Sequence, residues 1–167
     1  MDPQAVTGFM KEHAAGGEEA FKKKFPGAFL LIRFRGSSPS LVYMPPDEGF
    51  SIVCGSDEDV DLSFETDQTL EPRHATFAYH TGFRGWTIQD DGTSFGTEVA
   101  GEKVTKGRPL MLQDRCKIKL GGGLTEVQFY LATTLWQRMS KAGITKSLKA
   151  AKDGAKDEGP NDSSTEA

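Results

Sequence analysis

The sequence contains only two cysteines and three histidines in 167 residues. Two thiols are too few for a disulfide scaffold or a four-ligand zinc site, so we expect reduced thiols and a cytoplasmic protein. No apolar run approaches the roughly 18 residues of a membrane helix, and no signal-peptide pattern is visible. Charge of one sign is not in excess either, because 20 basic residues face 24 acidic residues. This balance gives no bulk attraction to nucleic acid or anionic membranes, and neither is predicted as a partner.

Large apolar side chains are unevenly distributed and divide the chain into four segments. Residues 1–27 have apolar residues at helical spacing, which predicts an N-terminal helical segment. Residues 28–132 contain short apolar runs separated by glycine- and proline-containing turns, which is typical of a β-sandwich. Residues 133–152 are rich in alanine, leucine and lysine and predict a C-terminal helix. Residues 153–167 have no large apolar side chain, so we expect a disordered tail.

The central segment predicts an antiparallel β-sandwich, because its strands follow each other at roughly ten-residue spacing with no long helix between them. Alternation supports this reading, since Ile118 and Leu120 would face one side of a strand and Lys117 and Lys119 the other. The nine candidate strands are Phe29–Arg35, Ser40–Met44, Phe50–Cys54, Ala75–Tyr79, Trp86–Gln89, Thr97–Val99, Pro109–Leu112, Cys116–Leu120 and Thr125–Leu131.

One pattern resembles a catalytic motif. The run 92–96, Gly-Thr-Ser-Phe-Gly, matches the G-x-S-x-G pattern of a hydrolase nucleophile elbow, with Ser94 as the nucleophile. That motif requires a helix directly after the serine and, in hydrolase chain order, a histidine downstream. Residues 97–102 instead favour a short strand and a turn, and no histidine follows His80. A hydrolase is therefore the weakest alternative, and we predict that the protein is not an enzyme.

Histidine and carboxylate spacing predicts no metal site. His74 and His80 would lie on the same side of one strand, about 20 Å apart, which is too far to share an ion. Asp57, Asp59 and Asp61 alternate as in a calcium loop but lack its glycine and its distal glutamate. We therefore predict no metal and no other cofactor, and assign His74 a structural hydrogen bond through one ring nitrogen.

Seven segments of the central region follow the order of a known recognition fold. They are Ile52–Ser56, Asp59–Leu62, Leu70–Ala75, Trp86–Thr97, Val99–Val104, Leu112–Gly121 and Val127–Phe129. Together they resemble the forkhead-associated domain, the sandwich that recognises phosphothreonine. The resemblance implies an all-β core, an antiparallel β-sandwich of that type with flanking N- and C-terminal helices. It also implies a signalling or scaffolding role of the kind such domains have in bacterial threonine-kinase networks.

Departures from the family pattern fall on the positions that bind the ligand. In the family an arginine, a serine and an asparagine contact the phosphothreonine and its peptide, and here Ser56, Glu71 and Phe95 stand in their places. The residues retained from the pattern belong to its structural framework: Gly55, His74, Gly96 and Thr97. The resemblance therefore implies a degenerate phosphothreonine-binding motif on an intact scaffold.

These departures predict weak binding of phosphate. A phosphothreonine carries about −1.5 to −2 charges, and a carboxylate roughly 6 Å away opposes it by about 3 kcal/mol per charge pair at an effective dielectric near 20. We predict an interaction module whose protein or peptide partner need not be phosphorylated. Its candidate binding residues are Ser56, Glu71, Arg73, Thr93, Ser94 and Phe95. The alternative is a phosphothreonine reader in which Arg73, Arg84 or Lys103 replaces the missing arginine.

Overall fold

The computed structural model describes residues 4–142. The predicted tail, and residues 143–152 of the predicted C-terminal helix, lie outside this range. The helices are α1 Val6–His13, α2 Gly17–Lys24 and α3 Ala132–Lys141. The strands are β1 Gln4–Ala5, β2 Ala28–Phe34, β3 Ser40–Met44, β4 Ser51–Gly55, β5 Leu62–Ser63, β6 Ala75–His80, β7 Gly85–Asp90, β8 Thr97–Val99, β9 Glu102–Lys103, β10 Leu110–Met111, β11 Lys117–Leu120 and β12 Thr125–Leu131.

The strands form two sheets that pack face to face. One sheet has seven strands in the order β1-β3-β2-β12-β11-β8-β9, and the other has five in the order β10-β7-β6-β4-β5. Every pairing is antiparallel except β4 with β5. The predicted sandwich with flanking helices is therefore confirmed. A strand occurs at each of the nine predicted places, with ends shifted by at most one residue.

Three further strands were not predicted, because β1, β5 and β9 have two residues each and are too short to show any alternation. β1 also lies inside the segment that we expected to be helical throughout. It pairs with β3 at the edge of the larger sheet, and α1 follows it directly. Within residues 4–142, no helix is long and apolar enough to cross a membrane.

The main core lies between the two sheets and is built from alternate residues of each strand. In β11, Ile118 and Leu120 are buried while Lys117 is exposed, as the alternation predicted. Strand β2 departs from this pattern, since its residues 28–32 are all buried. Its inward side chains join the main core and its outward ones meet the helices, so both faces need apolar residues.

A second core covers the outer face of the seven-stranded sheet and is mainly aromatic. Phe21 of α2 packs between Phe29 of β2 and Trp136 of α3, with ring centroids 5.8 Å and 5.2 Å away. Phe9 of α1 stands edge-on to Phe21 and to Phe29. Such tilted and edge-to-face pairs are the favoured arrangements of aromatic rings. The N-terminal helices are thus attached to the sheet and to α3 through one cluster of rings.

We predict that Phe21→Ala destabilises the protein by about 3–5 kcal/mol, the usual cost of truncating a buried phenylalanine. Phe21 is 1% exposed. The free energy of unfolding is measured by urea titration. Phe83→Ala is the matched control, because Phe83 is 61% exposed and a surface change of this kind costs about 0.5 kcal/mol or less. Equal losses for the two variants would show that the helices do not pack as described.

Candidate functional site

Three loops meet at one end of the sandwich, which we call the apex. They are residues 56–61 between β4 and β5, residues 64–74 between β5 and β6, and residues 91–96 between β7 and β8. The backbone N–H of Ser56 donates to the carbonyl of Glu71 at 2.9 Å, which joins the first two loops. Two of the three positions singled out by the family pattern are therefore direct neighbours in the structure.

Gly55 allows these two loops to approach so closely. A Cβ atom at this position would lie 2.1 Å from the carbonyl oxygen of Pro72 and 2.8 Å from that of Glu71. Both are backbone atoms, so they cannot move aside as a flexible side chain would. The retained glycine is thus explained by a backbone contact rather than by any direct role in binding.

His74 joins the second loop to the third. Its ring is fully buried, and the backbone N–H of Glu71 donates to its Nδ1 at 3.2 Å. Because Nδ1 accepts a hydrogen bond, the ring proton is on Nε2, which donates to the carbonyl of Gly96 at 2.9 Å. The histidine therefore holds the loop that precedes it and sets its distance from the turn that carries Phe95.

Asp90, the last residue of β7, organises the third loop. Its buried carboxylate accepts four hydrogen bonds of 2.8–2.9 Å, from the backbone N–H groups of Gly92 and Thr93 and from the hydroxyls of Thr93 and Thr97. Burial raises the pKa of this carboxyl, but the hydrogen bonds lower it further, so the net pKa of Asp90 is below its ordinary value. The sequence analysis missed this residue.

A local signal for Asp90 does exist in the sequence. An aspartate at the end of a strand, followed by Gly-Thr after one residue, fits a turn in which the carboxylate accepts backbone N–H groups two and three residues further on. The hydroxyl of Thr97, seven residues later, is brought to the same carboxylate only by the fold.

Thr93 belongs to this structural network and not to the exposed surface. It is 1% exposed, and its hydroxyl donates to Asp90 and accepts from the N–H of Gly96 at 3.0 Å. Its hydrogen bonds are thus used within the protein, so the structure offers a partner no access to this side chain. We group five residues as the apex framework: His74, Asp90, Thr93, Gly96 and Thr97.

Ser56 and Glu71, at two positions of the family pattern, carry a neutral hydroxyl and a carboxylate. The Ser56 hydroxyl donates to the carbonyl of Leu70 in the second loop at 3.0 Å. Glu71 is half-buried beside it and carries a carboxylate. The neighbouring Asp57, Glu58 and Asp59 add further negative charge to the first loop.

Phe95 and Ser94 form the exposed tip of the third loop. Phe95 is 56% exposed, so its ring projects from the sandwich and does not fill the end of the core. Ser94 is also exposed, and the chain after it forms a turn and then β8, not a helix. The strand–serine–helix geometry of a nucleophile elbow is therefore not formed around Ser94.

The three basic residues considered as replacements for the missing arginine lie in different places. Lys103 lies beside the third loop, with its Nζ 3.5 Å from the point where a Gly96 Cβ would be. Arg73 is exposed next to the buried His74. Arg84 precedes β7 at the end opposite to the apex, about 20 Å from Asp90 at 3.3 Å per residue. Arg84 therefore lies away from the site, and its inclusion in the sequence-based alternative was wrong.

Other reactive groups do not gather at the apex. Within residues 4–142, no cluster of three or more histidine, cysteine, aspartate or glutamate side chains is arranged to hold a metal ion. Burial raises the pKa of Cys54 to about 12, so this thiol stays protonated at neutral pH.

The structure is a two-sheet sandwich with three loops fixed over a buried polar framework. Residues 52–121 match the family model described as FHA domain. This region is therefore similar to the forkhead-associated (FHA) domain, and FHA domains are phosphopeptide-binding interaction modules that are generally non-catalytic. This confirms the resemblance stated from the sequence. A search of curated proteins found no match.

Solved FHA domains share the fold at low sequence identity. The FHA domain of the CT664 protein from Chlamydia trachomatis is 20% identical, with a TM-score of 0.53 over 62% of this chain and 96% of that one. The N-terminal FHA domain of Rad53p from S. cerevisiae, solved with a phosphothreonine peptide, is 16% identical, with a TM-score of 0.54 over 67% and 98%. The yeast splicing factor Pml1 is 14% identical, with a TM-score of 0.54 over 62% and 78%.

We predict that Asp90→Asn lowers the free energy of unfolding by about 2–4 kcal/mol at pH 6, because the buried carboxylate loses hydrogen bonds that its charge strengthens. The folded pKa of Asp90 is depressed, so its contribution is complete above the ordinary value of 3.8 and is lost as pH falls through the folded pKa. The difference between wild type and variant should therefore shrink toward pH 2.5, as measured by urea titration at both pH values.

Asp91→Asn is the matched control for this prediction, since Asp91 is exposed and one residue away. Its effect at pH 6 should be within about 1 kcal/mol, as for an exposed hydrogen-bonded group. A gap between wild type and Asp90→Asn that stays constant between pH 6 and pH 2.5 would contradict the assigned ionisation.

Proposed function

We propose that this FHA-like domain is a non-catalytic signalling or scaffolding module whose apex binds a protein or peptide without requiring phosphothreonine. The observation that carries the proposal is the state of Ser56, which stands where the family has its phosphate-binding arginine. Its single hydroxyl is already donated to the carbonyl of Leu70. A neutral group used inside the protein cannot supply the forked, charged hydrogen bonds that hold a phosphate.

Electrostatics at the apex support the same conclusion. Glu71 presents a carboxylate where the family has a serine, and its loop is hydrogen-bonded to the first loop, which has four further acidic residues. A phosphate placed here would meet repulsion of about 3 kcal/mol per charge pair from each carboxylate at roughly 6 Å, at an effective dielectric near 20. An unphosphorylated or basic segment would meet no such repulsion.

Phe95 supplies the contact that replaces the lost polar ones. It takes the place of an asparagine amide and projects an apolar ring that is more than half exposed. Exposed aromatic rings held on a fixed loop are frequent anchors of protein interfaces. The loop is fixed here by the apex framework, so the ring is presented at little cost in conformational entropy. We include Ser94, Glu71, Ser56 and Arg73 in the proposed surface.

A second candidate function is supported by the position of Lys103. Its ammonium lies beside Gly96, next to Phe95, and the exposed Arg73 is on the adjacent loop. Together these two cations are the residues that could receive a phosphothreonine in place of the missing arginine.

The two candidates are separated by restoring the family's residues at the replaced positions. The triple variant Ser56→Arg, Glu71→Ser, Phe95→Asn should bind a phosphothreonine peptide library at least 10-fold more tightly than wild type, because one charged, forked contact is worth about 1.5–3 kcal/mol. Binding is measured by fluorescence anisotropy with phosphorylated and unphosphorylated libraries. Wild type should show no preference for the phosphorylated peptides.

Phosphate-dependent micromolar binding by wild type, lost in Arg73→Ala or Lys103→Ala, would refute the proposal and establish the second candidate. For the proposed surface itself, unphosphorylated binders are selected from a displayed peptide library. Their affinity should fall at least 10-fold in Phe95→Ala and remain within twofold in Phe83→Ala, the exposed ring at the opposite end. Equal effects of the two substitutions would remove Phe95 as the anchor.

Free thiols are the basis for the proposed location. Cys54 and Cys116 form no disulfide, and reduced cysteines are usual in the cytoplasm. We therefore propose a cytoplasmic protein.

A further inference from the structure

A groove of about 910 Å³ lies on the outer face of the seven-stranded sheet, between α3 and the residues around the start of α1. Leu31, Gln128 and Tyr130 are among its lining residues, all from strands β2 and β12. None of its lining residues is acidic, and four are basic: Arg33, Arg115, Arg138 and Lys141. We call this surface the basic groove. It is formed by residues other than those of the apex.

Within residues 4–142, none of these four cations forms a salt bridge, although Glu126 lies opposite Arg33 on the neighbouring strand, outside the groove. The salt bridges there join other side chains, in α1, in α2 and between β8 and β11. Like charges that share a concave surface repel one another and raise the local attraction for anions. The groove is thus an anion-attracting surface on a chain whose net charge is −4.

The position of Arg115 is fixed by several contacts. The preceding Asp114 accepts the backbone N–H of Leu131 at 2.9 Å and the hydroxyl of Thr134, which ties this loop to the start of α3. Gln128 donates its side-chain amide to the carbonyl of Arg115 at 3.0 Å. Arg115 itself has φ +74°, a backbone conformation that is unfavourable for a residue with a side chain. Such conformations persist where the surroundings enforce them, often at binding surfaces.

Arg138 is also held over the groove. Its guanidinium lies 5.7 Å from the ring centroid of Tyr130, within the range of a cation–π contact. This contact leaves the N–H donors at the edge of the guanidinium plane free to meet a carboxylate. The guanidinium of Arg138 and the backbone of Arg115 are therefore positioned in advance, which reduces the entropy lost on binding.

We propose that the basic groove binds the chain's own acidic segment, residues 157–167. This segment contains Asp157, Glu158, Asp162 and Glu166 and no basic residue, so its charge complements the groove. The described part of the chain ends at Ala142, which itself lines the groove together with Lys141. The chain that leads to the acidic segment therefore leaves the described fold at the groove's own edge.

The length of the intervening chain suits this arrangement. Residues 143–156 are 14 residues, which reach at most about 50 Å when fully extended, so the chain is long enough to return from Ala142 over the groove. A linker that matches the distance between two sites gives an effective concentration in the millimolar range. Weak charge pairing is then sufficient to occupy the groove within one molecule, although it would be insufficient between separate molecules at micromolar concentration.

The proposal is tested by paramagnetic relaxation enhancement on the full chain. A nitroxide is attached at position 164 in Ser164→Cys, with Cys116→Ser to prevent labelling there; Cys54 is fully buried. We expect the amide signals of Leu31, Gln128 and Tyr130 to lose at least half their intensity at 50 mM salt. Thr76 and Gln89, on the other sheet, serve as internal controls and should keep most of theirs.

The charge dependence supplies the decisive comparison. Asp157→Asn, Glu158→Gln, Asp162→Asn and Glu166→Gln combined should restore the groove signals, as should 500 mM salt. These four substitutions lie outside the described fold, so an unchanged amide spectrum elsewhere verifies folding. Arg33→Glu with Arg138→Glu should restore the groove signals as well.

Three results would overturn the proposal. Groove signals that lose no more intensity than the controls would show that the segment does not bind there. Losses unaffected by salt or by charge neutralisation would show contact without the proposed pairing. In a mixed sample, only the protein without nitroxide is isotope-enriched. Losses of the same size in that sample would assign the groove to the tail of a second copy of the chain.

Discussion

The buried carboxylate of Asp90 is the contact on which the apex depends. It accepts three hydrogen bonds from the loop that follows it and a fourth from Thr97 at the start of β8, and that loop in turn presents the Gly96 carbonyl to His74. His74 then fixes the loop that carries Glu71. Three loops are thus held by a chain of polar contacts beneath the surface. The side chains on the surface over these polar contacts take no part in them. The scaffold is therefore separate from the residues that would set binding specificity.

That separation explains how an FHA domain can keep its shape while its surface chemistry changes. The retained glycine, histidine and threonine are needed by the backbone geometry, as the close approach at Gly55 shows. Ser56 and Phe95 are under no such constraint, because one bonds to a nearby carbonyl and the other projects outward. The proposed partner surface is therefore made of residues that lie above the framework.

Much of the fold could be predicted from the sequence, because each longer strand has its own alternation and turn residues. Three of the two-residue strands could not, since β1, β5 and β9 are each defined by two ladder pairs and are too short to show alternation. At the apex, the burial of Thr93 could not be predicted, because burial of a hydroxyl depends on contacts across the fold. The predicted strand that follows His74 was sufficient to place Arg84 at the opposite end of the sandwich. The turn signal of Asp90 is local, while its contact with Thr97 required the tertiary structure.

The aromatic cluster on the outer sheet face has a consequence for the limits of the domain. Phe9 and Phe21 come from before the sandwich in the chain and Trp136 from after it, yet all three cover the same strands. A fragment trimmed to the sandwich alone would uncover the outward side chains of β2 and β12, an apolar surface prone to self-association. The smallest unit that covers both faces of the seven-stranded sheet is thus larger than the recognition fold and includes both flanking helical regions.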